Sequence, residues 1–271
     1  MRKYLIIALY VVLFAGLVVC LGFVNRKQTA VLCKSLTINI DHSNDDYFVE
    51  EEDIHAMLHR KGDTIIGQRL NEINTGMLEK ILRRNPHVEK AEVFSSIDGE
   101  VKIDVTQRSP ILRIIGAVHD GYYIDKNGVF MPICDKYAAR VPIANGYIYE
   151  PYTYGSAKLI EKRTREDSIA VDETQPYRYT LKDSLYTLAK YVNDDEFWQA
   201  LIQQIYVTPQ HEFELIPNIG NHRIILGNLD DMEGKFSKLL LFYRKGLSKT
   251  GWDKYSIINL KYKNQVVCTK K

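Results

Sequence analysis

His55 and His59 stand four residues apart, the spacing that puts two imidazoles on one helix face and begins a zinc-hydrolase site. That chemistry also needs a glutamate after the first histidine as general base, and Ala56 occupies the place. The pair therefore reads as two surface histidines. His42, His87, His119, His211 and His222 stand singly beside strand and turn segments. The glycine spacings that cradle phosphates or dinucleotides do not occur, nor does a serine on a G-x-S-x-G turn. Cys20, Cys33, Cys134 and Cys268 include no C-x-x-C step, which excludes a metal knuckle or a dithiol motif. A Cys134–Cys268 disulfide is one reading of the last two, and small apolar residues is the other. Acid pairs abound, as in any chain that is 26% charged, but none sits in a cleft motif. The expectation is a protein with no catalytic residue, cofactor or metal, and no small-molecule substrate.

The elements around these residues begin with an anchor. Tyr4 to Val24 is a 21-residue run without a charge. As a helix it would reach about 31 Å, the thickness of a bilayer's hydrocarbon core. The run is too long for a secretory signal, and no small-residue cleavage step closes it. Met1, Arg2 and Lys3 form a stub on one side. Arg26 and Lys27 nearly balance that charge on the other, so orientation rests on the ease of leaving three residues inside. The expectation is a single-pass type II protein of an inner membrane, with the stub cytoplasmic, residues 4–24 in the bilayer and the bulk periplasmic. Residues 25–271 carry all 34 acids and, without Arg2 and Lys3, 34 of the 36 bases. A neutral body has no broad basic face, so nucleic acid is not an expected partner.

Two modest domains follow. In the first, Leu36, Ile38 and Ile40 alternate with Thr37 and Asn39, as a half-buried strand requires. Carboxylates then open a helix at about 50–60, where the dipole favours them. A second helix at about 70–84 carries Leu70, Ile73, Met77 and Ile81 on one stripe and stops at Pro86. Val88 to Phe94 and Val101 to Val105 form a hairpin around Asp98-Gly99. The order β-α-α-β-β describes two helices on one face of a three-stranded sheet.

From Ile111 short strands and turns dominate, the texture of a mainly antiparallel sheet with a few helices. Tyr122–Asp125 and Val129–Ile133 flank the turn signal Asn127-Gly128, and Val141–Ala144 is another strand. Residues 147–178 read as an irregular, exposed insertion. Helices are expected over 180–192, 197–202 and 230–247, with strands at 205–207, 213–216, 222–226 and a single closing strand over 255–267.

Asn85-Pro86-His87-Val88, the hairpin, and Gln107-Arg108-Ser109-Pro110 resemble a POTRA domain. Their order after an anchor is similar to the FtsQ/DivIB family of bacterial cell-division proteins. Tyr123-Ile124-Asp125-Lys126-Asn127-Gly128-Val129-Phe130, Val141-Pro142-Ile143-Ala144-Asn145-Gly146, Ile224-Ile225-Leu226-Gly227 and Ile258-Asn259-Leu260-Lys261-Tyr262 continue the resemblance. Gln107 stands where the family has a glutamate, and Asn259 and Lys261 depart from an aspartate and an arginine.

The resemblance implies an α+β scaffold with no enzymatic activity. It has a POTRA domain over 32–108 and a β domain over 110–267. It would recruit early divisome components and dock a coiled-coil pair of the FtsB/FtsL type by strand addition at the last strand. Tyr255, Ile258, Leu260, Lys261, Tyr262, Asn264 and Val266 are the expected partner-binding residues, with Tyr262 as anchor and Lys261 as charge contact. Two other classes stay open. One is an anchored POTRA chaperone or secretion adaptor, which would carry further repeats. The other is an anchored cell-wall hydrolase, which would need a nucleophile or metal set.

Overall fold

A computed structural model of the chain describes residues 10, 13–17, 31–42, 46–59, 65–157 and 180–271. Most of the apolar run 4–24 lies outside the described residues, as do 158–178 of the expected insertion. Among the described residues no helix is long and apolar enough to cross a membrane. Two compact units divide between Gln107 and Arg108.

In the first unit, β1 (Ser35–Asp41), α1 (Glu51–His59), α2 (Thr75–Leu82), β2 (Val88–Ser95) and β3 (Glu100–Gln107) follow the expected order. The sheet runs β1-β3-β2, with β1 parallel and β2 antiparallel to β3. Val101, Ile103 and Val105 alternate inward and are buried with Ile54, Leu58, Leu82, Ala91 and Val93. Helix α2 is shorter than the apolar stripe predicts. Asn74 ends the approach, because its side chain accepts a hydrogen bond from Met77 N at 3.0 Å and caps the helix there. The Asn85-Pro86-His87 segment is explained locally. Asn85 Oδ1 accepts from His87 N at 3.0 Å, and the His87 ring stacks on Phe48 at 5.1 Å.

Gln107 is also structural. Its amide oxygen accepts from Val49 N at 2.8 Å, while its amide nitrogen donates to the carbonyls of Asp46 at 2.9 Å and Asp41 at 3.2 Å. A glutamate carboxylate could not donate to those carbonyls. The departure from the family residue therefore replaces a charge with a buried clamp between β3 and the loop after β1.

The second unit is built on one nine-stranded sheet, ordered β12-β11-β10-β9-β8-β7-β4-β5-β6. Its strands are β4 (Pro110–Ile114), β5 (Tyr122–Asp125), β6 (Phe130–Pro132), β7 (Ile143–Gly146), β8 (Ile202–Val207), β9 (Phe213–Pro217), β10 (Arg223–Gly227), β11 (Tyr255–Asn259) and β12 (Val267–Lys270). The sheet is mixed. The β4–β7, β7–β8 and β10–β11 pairs are parallel and the others antiparallel. Helices α3 (Leu181–Asn193), α4 (Glu196–Leu201) and α5 (Met232–Phe242) supply Leu185, Leu188, Trp198, Phe236 and Leu239 to its core. Thr180 and Asp183 close a full capping box at the start of α3. The helix expected over 230–247 changes winding: after Phe242, residues Tyr243–Leu247 form a π turn.

Asp125 knots the β5–β6 hairpin. Fully buried, it accepts from Asn127 N at 2.9 Å, Val129 N at 2.7 Å and Arg108 Nη1 at 2.9 Å. Arg108 of the Gln-Arg-Ser-Pro segment is thus the counter-charge of a buried carboxylate. The expected exposed insertion is partly folded in. Ile148 and Ala157 are buried, and residues 155–157 lie along β6 through Phe130 N to Gly155 O at 2.9 Å and Ala157 N to Gly128 O at 2.8 Å.

Candidate docking edge

The expected single strand over 255–267 is two strands. Asn259 Oδ1 accepts from Lys261 N at 3.0 Å, a local turn that takes the chain out of β11. Asn264, with φ of 59°, completes the reversal in the left-handed region that asparagine tolerates. The chain returns as β12, antiparallel to β11, with Ile258 opposite Cys268 and Asn259 opposite Val267. This corrects the sequence reading of the sheet margin. β11 lies between β10 and β12 and has no free edge, whereas β12 is the terminal strand.

The seven expected contact residues fall into three groups. Ile258 and Leu260 are fully buried in the core, where they serve packing and offer a partner no side-chain surface. Tyr255 and Val266 are half-buried against the same core, Tyr255 with its ring 5.8 Å from Phe242. Lys261, Tyr262 and Asn264 are exposed around the turn. The Lys261 stem crosses Gly227, whose lack of a side chain makes the room, and its ammonium pairs with Glu212 at 2.7 Å. Tyr262 is 49% exposed, and its carbonyl accepts from Lys238 Nζ at 2.8 Å.

The seven include no residue of β12 itself. Val267, Thr269 and Lys270 are exposed, while Cys268 turns partly inward. The signal was present in Asn264 as a turn residue, followed by the β-favouring Val266-Val267-Cys268-Thr269. Burial pushes the Cys268 thiol up, and likewise that of Cys33, which keeps both as thiols rather than nucleophiles. No disulfide joins Cys134 to Cys268, so the disulfide reading is not met. Lys254, Lys261, Lys263, Lys270 and Lys271 surround this margin, against Asp253 and Glu212 as nearby acids.

Chemistry elsewhere is sparse among the described residues. His55 and His59 stack 6.1 Å apart, and no three His, Cys, Asp or Glu side chains converge as a metal site. A cavity of about 270 Å³ is lined by Ile111, Arg140, Pro142, Ala189, Asn193 and Gln199, among others. Its walls offer a cation and amides but no acid, histidine or nucleophile.

A family model described as FtsQ/DivIB, C-terminal related matches residues 109–269, more than half of the chain. The chain belongs to the FtsQ/DivIB family. A second model, for a POTRA-like domain, matches residues 31–106, in agreement with the β-α-α-β-β unit. No curated protein matches the chain. FtsQ/DivIB proteins are membrane-associated scaffolds of cell division that carry no enzymatic role. Membership thus gives this chain a scaffold's task, and among the described residues β12 pairs with β11 alone.

Proposed function

We propose that the chain is a single-pass division scaffold, anchored through residues 4–24 in an inner membrane with its two folded units on the periplasmic side. It links early divisome components to a coiled-coil pair of the FtsB/FtsL type. The partner adds a strand to β12. The observation that carries this reading is that the nine-stranded sheet ends on β12, with no strand of the described residues paired on its outer side. An unpaired strand presents a row of N–H and C=O groups, and a peptide that takes them gains main-chain hydrogen bonds without rearranging the host.

Side chains then select the partner. Tyr262 and Val267 give apolar area at the margin, and the surrounding lysines favour an acidic segment. The Lys261–Glu212 pair is partly exposed, so a partner carboxylate can compete for the ammonium at little cost. A lysine holds that carboxylate as a point charge, without the paired donors of an arginine.

The test is a pull-down or bacterial two-hybrid assay against division coiled-coil proteins. Tyr262→Ala and Thr269→Pro should each abolish or sharply weaken capture, with circular dichroism and melting temperature of the Tyr262→Ala protein unchanged. Full capture by both variants would remove β12 and its turn as the docking margin.

A further inference from the structure

The POTRA-like unit exposes apolar side chains at one end. The register of β1 on β3 sets Ser35 opposite Glu100, so the chain entering β1 runs beside the β2–β3 hairpin tip. Lys34 N donates to Gly99 O at 2.7 Å there. The loop before α2 joins the same corner, through Gly67 N to Cys33 O and Cys33 N to Gln68 O, both 2.8 Å, and Leu70 N to Val31 O at 3.0 Å. Three segments distant in sequence thus meet around residues 31–34. Each presents an apolar residue to water: Leu32 is 48% exposed, Ile66 56% and Ile97 71%. Phe94, at 53%, flanks them on β2.

The corner is also where the chain leaves toward the charge-free run. Only residues 25–30 separate that run from Val31. Six residues reach at most about 20 Å even when fully extended. Whatever covers Leu32, Ile66 and Ile97 must therefore lie close to where residues 4–24 end. Among the described residues the charges around the corner nearly cancel: Lys34 stands beside Asp98 and Glu100, and Arg69 pairs with Glu72 at 3.9 Å. That balance suits burial of apolar tips at a headgroup boundary better than electrostatic attraction to one lipid class.

We infer that this corner rests on the bilayer, with Leu32, Ile66 and Ile97 seated at the headgroup boundary. The inference rests on the anchored reading above and adds to it. The anchor then delivers the POTRA-like unit in a set orientation, rather than as a body swinging on a tether.

The full chain reconstituted in neutral phosphatidylcholine vesicles tests it. A polarity-sensitive fluorophore is placed at Ile97→Cys or, as a control at the other end of β2, at Arg84→Cys, each with Cys134→Ala and Cys268→Ala. The label at 97 should shift to the blue and lose quenching by aqueous iodide, at low and high salt alike, while the label at 84 stays quenched. Combining Leu32→Asp with Ile66→Asp should restore quenching at 97. Equal quenching at both sites, in protein that remains with the vesicles through a carbonate wash, would overturn the lipid contact and leave the anchor standing. Protection at 97 that survives the double aspartate variant would overturn it too. Protein that separates from the vesicles would refute the anchor, and this inference with it.

Discussion

The two margins of the nine-stranded sheet are treated in opposite ways. At β6 the chain returns to cover the start of its own edge, with residues 155–157 bonded along Gly128 and Phe130 and Ala157 buried. Lys182 reinforces that side. Its ammonium donates to Pro151 O at 2.8 Å and lies 4.9 Å from the Phe130 ring centre. At β12 nothing among the described residues plays that part. A bare strand edge invites unwanted pairing, and folds usually blunt it. Here one edge is blunted by chain and the other only by lysines. The lysines discourage pairing with a second copy of the same basic strand while leaving an acidic segment welcome. On the proposed docking, the contrast makes openness at β12 selective exposure rather than an unfinished sheet.

The sharpest way to break the comparison is proline. Successive peptide groups of a strand point to opposite sides. Of Cys268→Pro and Thr269→Pro, one therefore removes an outward N–H and the other an N–H of the ladder to β11. Both should abolish partner capture, and only the ladder variant should lower the melting temperature. Retained capture in both would show that β12 is not paired by the partner.

At the covered margin, Arg108→Ala should strand the buried Asp125 carboxylate that knots the β5–β6 turn. The expected cost is about 3 kcal/mol or more, seen as a fall of roughly 10 °C in the melting temperature. Partner capture at low temperature should survive, because the change lies at the opposite margin. Loss of capture with little loss of stability would erase the distinction between the two edges.

A smaller effect is expected from acid near the open side. His222 is buried, with Nε2 2.9 Å from the Tyr243 hydroxyl of the π turn, and Asp253 and Lys271 are the charges that act on it. Burial lowers its pKa first, and Lys271 adds to the shift. A depressed folded-state value means that the unfolded chain binds the proton better. Its contribution is therefore present above the ordinary value of about 6.5 and declines as pH falls below it. Melting temperatures between pH 7.5 and 5 should drop more steeply in the native protein than in His222→Gln. Parallel profiles would show that this histidine does not couple acid to the β10–β12 side.

The least effect belongs to Lys261. Its exposed pair with Glu212 should contribute only a few tenths of a kcal/mol, so Lys261→Ala should leave thermal stability nearly unchanged. A salt-dependent weakening of partner binding would place its value at the margin instead.

Helix and hairpin positions were legible where one local rule acted alone. The alternation of Val101, Ile103 and Val105, the Asp98-Gly99 and Asn127-Gly128 turns, and the Thr180 cap each fixed an element without help from distant residues. The reading slipped where a side chain bonded back to its own loop. Asn74 shortened α2, and Asn259 with Asn264 folded one expected strand into two. Of the seven expected contacts, the turn residues Lys261, Tyr262 and Asn264 remain exposed candidates, whereas Ile258 and Leu260 belong to the core.

Sequence alone determined that this chain has a POTRA-like unit followed by a sheet-rich one, because periodicity and turn chemistry are local properties. Which strand stands last in the sheet was decided only in three dimensions. Strand order depends on pairings between distant segments, and one returning turn after Asn259 moved the free edge from β11 to β12. The structural role of Gln107 and the counter-charge role of Arg108 had the same origin, since each is defined by partners that only folding brings within hydrogen-bond reach.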